Sequence, residues 1–122
     1  MENEYYKKKL NGAKKLYFNI GAISCPALNN KIVYFDRSGF RHLLRKGKKH
    51  RDVKDQLRRF HLLSYATSII KKGEQIMDKK IDTSRVPEAY FYRIGLAIEG
   101  KMIKVIVRQI GPGKLHFFSI MD

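Results

Sequence analysis

Tyr90-Phe91-Tyr92-Arg93-Ile94-Gly95-Leu96-Ala97-Ile98-Glu99-Gly100-Lys101-Met102-Ile103-Lys104-Val105-Ile106-Val107-Arg108-Gln109-Ile110-Gly111-Pro112-Gly113-Lys114-Leu115-His116-Phe117-Phe118-Ser119-Ile120-Met121 is the stretch that decides the fold. It is rich in β-branched and aromatic residues and is cut twice by glycine-bearing turns. That combination reads as three strands, 90–98, 101–110 and 114–121, in an antiparallel meander. Glu99-Gly100 is a two-residue hairpin turn and sets a register. Ile98 then faces Lys101, Leu96 faces Ile103, Ile94 faces Val105 and Tyr92 faces Val107. One face carries Tyr92, Ile94, Leu96, Ile98, Ile103, Val105 and Val107, and has to be covered. The other carries Phe91, Arg93, Gly95, Ala97, Lys104, Ile106 and Arg108.

The register of the last strand depends on its loop. With Gly111-Pro112-Gly113 as a three-residue loop, His116 lies opposite Arg108, Leu115 and Phe117 enter the core, and Ser119 points inward unless a bulge turns it. With Pro112-Gly113 alone as the turn, Phe117 and Ser119 lie beside Arg108. The first arrangement is preferred, because Pro-Gly favours a type II turn whose twist opposes a tight hairpin.

Upstream, 73–88 reads as a polar connection. Before it, Val53, Leu57, Phe60, Leu63, Ala66 and Ile70 recur at three- and four-residue steps, predicting one helix over 52–72 that ends at Gly73. A shorter helix, 37–46, carries Phe40, Leu43 and Leu44, with Asp36 as its cap and Gly47 as its stop. Residues 16–23 and 31–35 read as short strands, and 5–16 as a short helix or loose basic arm (as do 1–15 as a whole). The expectation is one α+β domain over 1–122, with two or three N-terminal helices packed on a twisted antiparallel sheet.

Charge points to the partner. The chain has 26 Lys+Arg against 11 Asp+Glu in 122 residues, a net charge of +15. That excess repels itself in the compact state and attracts polyanions, RNA foremost. No run approaches the ~18 apolar residues of a membrane span. The N-terminal residues lack an apolar targeting core, so the chain reads as cytoplasmic. Cys25 stands alone, and His42, His50, His61 and His116 fit no zinc spacing, so no metal and no small-molecule cofactor is expected.

The open sheet face would hold Arg93, Lys104, Arg108 and His116, with Phe91 and Phe118 as stacking platforms for bases. Arg93 and Arg108, diagonal neighbours, would grip one phosphate together. A second basic surface spans Arg37 to Arg59. In it Arg41, Arg45, Lys49, Arg51 and Arg58 are candidate nucleic-acid contacts. His42 lies at the edge of an apolar stripe, as a base reaching a groove or as a boundary histidine. His61 reads as surface and His50 as a phosphate contact.

The Gly39-Phe40-Arg41-His42 helix start, the basic second helix, Arg108 and the final Lys114-Leu115-His116-Phe117-Phe118-Ser119-Ile120 strand together resemble the barnase–EndoU–colicin–RelE (BECR) superfamily of small ribonuclease toxins. The likeness is nearest to its phage- and toxin-associated branch and spans roughly 31–121. It implies a metal-independent endoribonuclease that cuts RNA by attack of the 2′-hydroxyl on its own phosphate. It also implies an acidic antitoxin or immunity protein as partner. His42, Arg108, and His116 or Ser119 match the catalytic positions. No glutamate sits on the open face as a barnase-like base, so histidine has to fill that role. The other readings are a non-catalytic RNA-binding module and a basic partner of an acidic protein.

Overall fold

The structure, a computed structural model, describes residues 2–122. It opens with α1 (Glu2–Ile20), β1 (Ala22–Cys25), a 3-10 turn (Pro26–Leu28) and β2 (Lys31–Tyr34). Then come α2 (Arg37–Leu44), the small strands β3 (Arg45–Lys46) and β4 (Lys49–His50), α3 (Val53–Leu63) and α4 (Ala66–Lys72). The chain ends in β5 (Ile76–Asp82), β6 (Ala89–Ile98), β7 (Lys101–Ile110) and β8 (Leu115–Met121). The fold is α+β as expected.

The Glu99-Gly100 turn has positive φ at both residues, 52° and 77°, which is the type I′ geometry that matches strand twist. The β6–β7 register is the anticipated one, from Ile98↔Lys101 through Tyr92↔Val107. Between β7 and β8, Arg108 pairs with His116 and Val107 with Phe117, as the three-residue loop requires. Ile106 then pairs with Ser119. Phe118 is the extra residue of a β-bulge, which turns Ser119 from the Val107 side to the Ile106 side.

Four expectations are corrected. The N-terminal segment is a helix and not an arm, and it does not give way to a strand at 16. It is one helix to Ile20, because Tyr6, Leu10, Ala13 and Tyr17 form a continuous three/four-residue stripe into the core. Tyr17 is fully buried among Phe35, Phe40 and Phe117, and its hydroxyl donates to the Asp36 carbonyl at 2.7 Å. The first strand accordingly begins at Ala22, after Gly21 at φ +67°.

The helix expected over 52–72 is two. The chain bends at Ser64-Tyr65, where Ser64 Oγ donates back to the His61 carbonyl at 2.9 Å. The helix expected over 37–46 ends at Leu44, and Arg45–His50 fold as a hairpin around Gly47 at φ +64°. The connection 73–88 contains β5, which pairs with β6. Its residues are mostly exposed and charged, as suits an edge strand, so no hydrophobic alternation announces it. The sheet order is β1-β2-β8-β7-β6-β5 with β2 and β8 parallel, so it is mostly antiparallel but mixed.

The helices cover one face. α4 packs on β6 and β7, α3 on β8, and α1 lies over α3. Ile94, Ile103, Val105, Val107, Phe117 and Ile120 are buried beneath them. β2 accompanies β8 only as far as Tyr34↔His116. Beyond that α2 takes its place along the β8 edge, with Phe40 and Leu43 turned into the core. Gly39 permits this approach, because a Cβ there would collide with the Phe117 carbonyl and the Tyr17 hydroxyl.

Candidate functional site

One rung of the sheet crosses all six strands on the open face. Ala22 pairs with Tyr34, Tyr34 with His116, His116 with Arg108, Arg108 with Phe91, and Phe91 with Lys80. In-register partners share a face, so tyrosine, histidine, arginine, phenylalanine and lysine stand in a row. α2 supplies the wall beside this row. Its Asp36 cap accepts from the Gly39 amide at 2.9 Å and fixes the first turn. Ser38 and His42, four residues apart, then project from one side of the helix.

Arg108 is the centre. Its Nε donates to His116 Nε2 at 2.8 Å, and its Nη2 donates to Ser38 Oγ at 3.2 Å. Its guanidinium carbon lies 4.8 Å from the centroid of the Phe118 ring. Phe118, the bulged residue, thus lies under the arginine. The Phe118 ring also meets His42, at 4.0 Å between centroids, and Phe91, at 5.1 Å in an edge-on arrangement. His42, Ser38, Arg108, His116, Phe118 and Phe91 thus form one contiguous cluster. Its parts come from α2, β7, β8 and β6.

The two histidines are held in different states of readiness. Burial depresses the His42 pKa to about 4, with the charges of Arg108 and Arg51 adding to the effect. His42 is therefore a neutral imidazole at pH 7 and able to take a proton. His116 is also pushed down, first by burial and then by Arg108. It is buried, and its Nε2 accepts from a guanidinium, which can only donate. That nitrogen is consequently unprotonated, and its lone pair is committed to orienting Arg108. Burial and the nearby Arg85 charge also lower the Arg108 pKa, from a value so high that the group stays cationic.

The remaining candidates are dispersed. Arg93 shares the open face but is paired with Asp78 at 3.2 Å, not joined to Arg108. Lys104 lies farther along that face, opposite Gly95 and Met121. Ser119 is buried, and its Oγ accepts from Arg59 Nη1 at 2.8 Å. Arg51 acts behind His42, since its Nε donates to the His42 carbonyl at 2.9 Å and its Nη1 pairs with Asp55 at 3.2 Å. Arg45 braces the β3–β4 hairpin through the Lys48 carbonyl, at 2.8 Å, close to His50. Lys49 and Arg41 are exposed, on β4 and α2. Arg58 is exposed and pairs with Asp55 and Asp122. His61 is exposed beside Tyr65.

Three further residues join the site: Ser38, Tyr34 and Lys80. Ser38 was findable, being one helical turn before His42. Tyr34 needed the parallel β2–β8 pairing, and Lys80 needed the unrecognised strand β5. Among the described residues no group of three or more His, Cys, Asp or Glu side chains is placed to hold a metal. No helix of the described residues is long and apolar enough to cross a membrane. Comparison with protein-family models, with curated proteins and with solved structures gave no match.

Proposed function

We propose that this chain is an endoribonuclease toxin that cleaves single-stranded RNA on the open sheet face. The observation that carries the reading is the Arg108 cluster: a fixed guanidinium with a neutral imidazole and two aromatic rings in contact around it. Bases stack on Phe91 and Phe118, as aromatic platforms of single-strand binders do. Arg108 binds the scissile phosphate and stabilises the charge that grows on its oxygens. His42 removes the 2′-hydroxyl proton. The 2′-oxygen forms a bond to phosphorus, the bond to the 5′-oxygen breaks, and that oxygen takes a proton from a water molecule, which recovers one from His42. The products are a 2′,3′-cyclic phosphate and a 5′-hydroxyl. His116 keeps Arg108 aimed and Ser38 holds its outer nitrogen, so both are positioning residues. The net charge of +15 suits a polyanionic substrate and an acidic antitoxin or immunity protein as the neutralising partner. The site is meant to act in a cytoplasm, where RNA is the target.

The test is incubation of purified protein with total RNA in the presence of chelator. New 2′,3′-cyclic phosphate ends are expected from the wild type. Their loss is expected from His42→Ala and Arg108→Ala proteins whose circular dichroism is unchanged. Undiminished cleavage by both variants overturns the assignment. A second reading, a non-catalytic RNA-binding module, is favoured by one feature: the His116 lone pair is already occupied by Arg108. It predicts binding that weakens steeply with salt and yields no new ends.

A further inference from the structure

Beside the Arg108 cluster the open face dips into a small cavity of about 270 Å³, lined by Asp78, Lys80, Phe91, Arg93, Ile106 and Phe118. It falls just below the roughly 300 Å³ at which drug-sized ligand sites begin, a size for one planar ring. We propose that this cavity is a nucleobase subsite for guanine, and that Asp78 and Arg93 are the residues that select it. The inference rests on the RNA reading above and adds a substrate preference to it.

Three observations carry it. The walls are flat or apolar: Phe91 and Phe118 meet at 76°, so a ring laid on one has the edge of the other against its rim, over Ile106. Nucleobases stack on such surfaces. The polar rim is an acceptor–donor pair, with Asp78 Oδ2 and Arg93 Nη2 3.2 Å apart and both side chains partly open to solvent. Asp78 neutralises Arg93, so the pair presents an acceptor and a donor to a polar ring edge with no net charge of its own. The phosphate goes next door, because Phe118 forms a wall of the cavity and also lies under Arg108. The Arg93 rung is two residues along β6 from the Phe91 rung, roughly 7 Å. A base and its adjoining phosphate are thus served by neighbouring rungs.

Among the four bases guanine fits the rim. Its Watson–Crick edge offers two donors side by side, N1–H and N2–H, and one acceptor, O6. The Asp78 carboxylate accepts from the two donors, and Arg93 or Lys80 donates to O6. Cytosine offers one donor group on that edge, N4–H2, so it makes one bond to the carboxylate where guanine makes two. Uracil and adenine likewise each present a single Watson–Crick donor and make one such bond.

The experiment uses 2′-O-methyl pentanucleotides, which lack the attacking hydroxyl, with sequences UUGUU, UUAUU, UUCUU and UUUUU. Affinity for the full-length protein is read by fluorescence anisotropy. UUGUU is expected to bind about tenfold more tightly than the others, as one bidentate base contact allows. Asp78→Asn is expected to bring the four within about twofold while leaving UUUUU binding no weaker. Equal binding of all four by the wild type, or a preference for UUCUU, overturns the subsite. The same four sequences as ribonucleotides are assayed for cleavage in parallel. Indiscriminate cleavage with equal binding removes the subsite and leaves the ribonuclease standing. Guanine-selective binding with no cleavage removes the ribonuclease and leaves the subsite.

Discussion

Replacing Arg59 tests how the last strand of the sheet is anchored to the helices. Arg59 comes from α3, is buried, and reaches the end of β8. Its Nη1 donates to Ser119 Oγ and to the Ile120 carbonyl, both at 2.8 Å, and its Nε pairs with Asp55 at 3.2 Å. Hydrogen bonds from a charged donor contribute about 1.5–3 kcal/mol each. Two dry ones and one ion pair open to solvent on the Asp55 side would sum to more than the net effect, because the guanidinium also loses hydration when buried. Water entering the truncated site recovers part of the loss. Arg59→Ala should therefore cost about 3 kcal/mol, which corresponds to a fall in Tm on the order of 10 °C for a chain of this size. Arg59→Met should cost at least as much, because its side chain fills the space and keeps water from Ser119 Oγ and the Ile120 carbonyl. The double variant Arg59→Met/Ser119→Ala removes one stranded acceptor and should regain about 1 kcal/mol. Urea unfolding followed by far-UV circular dichroism measures all three. An Arg59→Ala protein within about 0.5 kcal/mol of wild type, the range of an ordinary surface substitution, would show that this arginine is not an anchor.

Other perturbations have equally definite outcomes. His42 and His116 both have pKa values below that of an unfolded histidine, so the unfolded state binds more protons as the pH falls. Stability should be level above about pH 6.5 and decline from there toward pH 4, and His42→Asn should flatten part of that decline in urea titrations at pH 7.5 and pH 5. RNA cleavage that depends on neutral His42 should likewise persist well below pH 6 and fall only as pH 4 is approached, whereas a base with an ordinary histidine pKa would lose activity near pH 6.5. Gly39→Ala forces α2 away from the Phe117 carbonyl and the Tyr17 hydroxyl. It should cost about 1–3 kcal/mol as overpacking, read by thermal unfolding, and should weaken cleavage by displacing Ser38 and His42.

Much of the architecture was legible because it is written in local chemistry. Glu99-Gly100 is a turn whose backbone demands one register, and ten cross-strand pairs follow from it. Asp36 capped its helix as its side-chain oxygen requires. The α1 boundary is masked in the sequence because Leu16 and Phe18, exposed in the helix, mimic strand alternation around the buried Tyr17. The break at Ser64-Tyr65 was invisible, since the apolar stripe runs straight through it and only a side-chain bond to the His61 carbonyl marks it. β5 leaves no trace in the sequence pattern, because a charged edge strand has no buried face to give it a period.

What the sequence determined unaided was an α+β domain with a strongly cationic surface and a meander whose outward row includes Phe91, Arg93, Lys104 and Arg108. Periodicity and turn geometry are properties of neighbouring residues, so they need no knowledge of the rest of the chain. The tertiary structure alone decided which of those groups meet. The parallel β2–β8 pairing brings Tyr34 into the row, the Phe118 bulge turns Ser119 toward Arg59, and α2 replaces β2 along β8 so that Ser38 and His42 reach Arg108. Each of these is a contact between residues far apart in sequence, chosen by how the whole core packs.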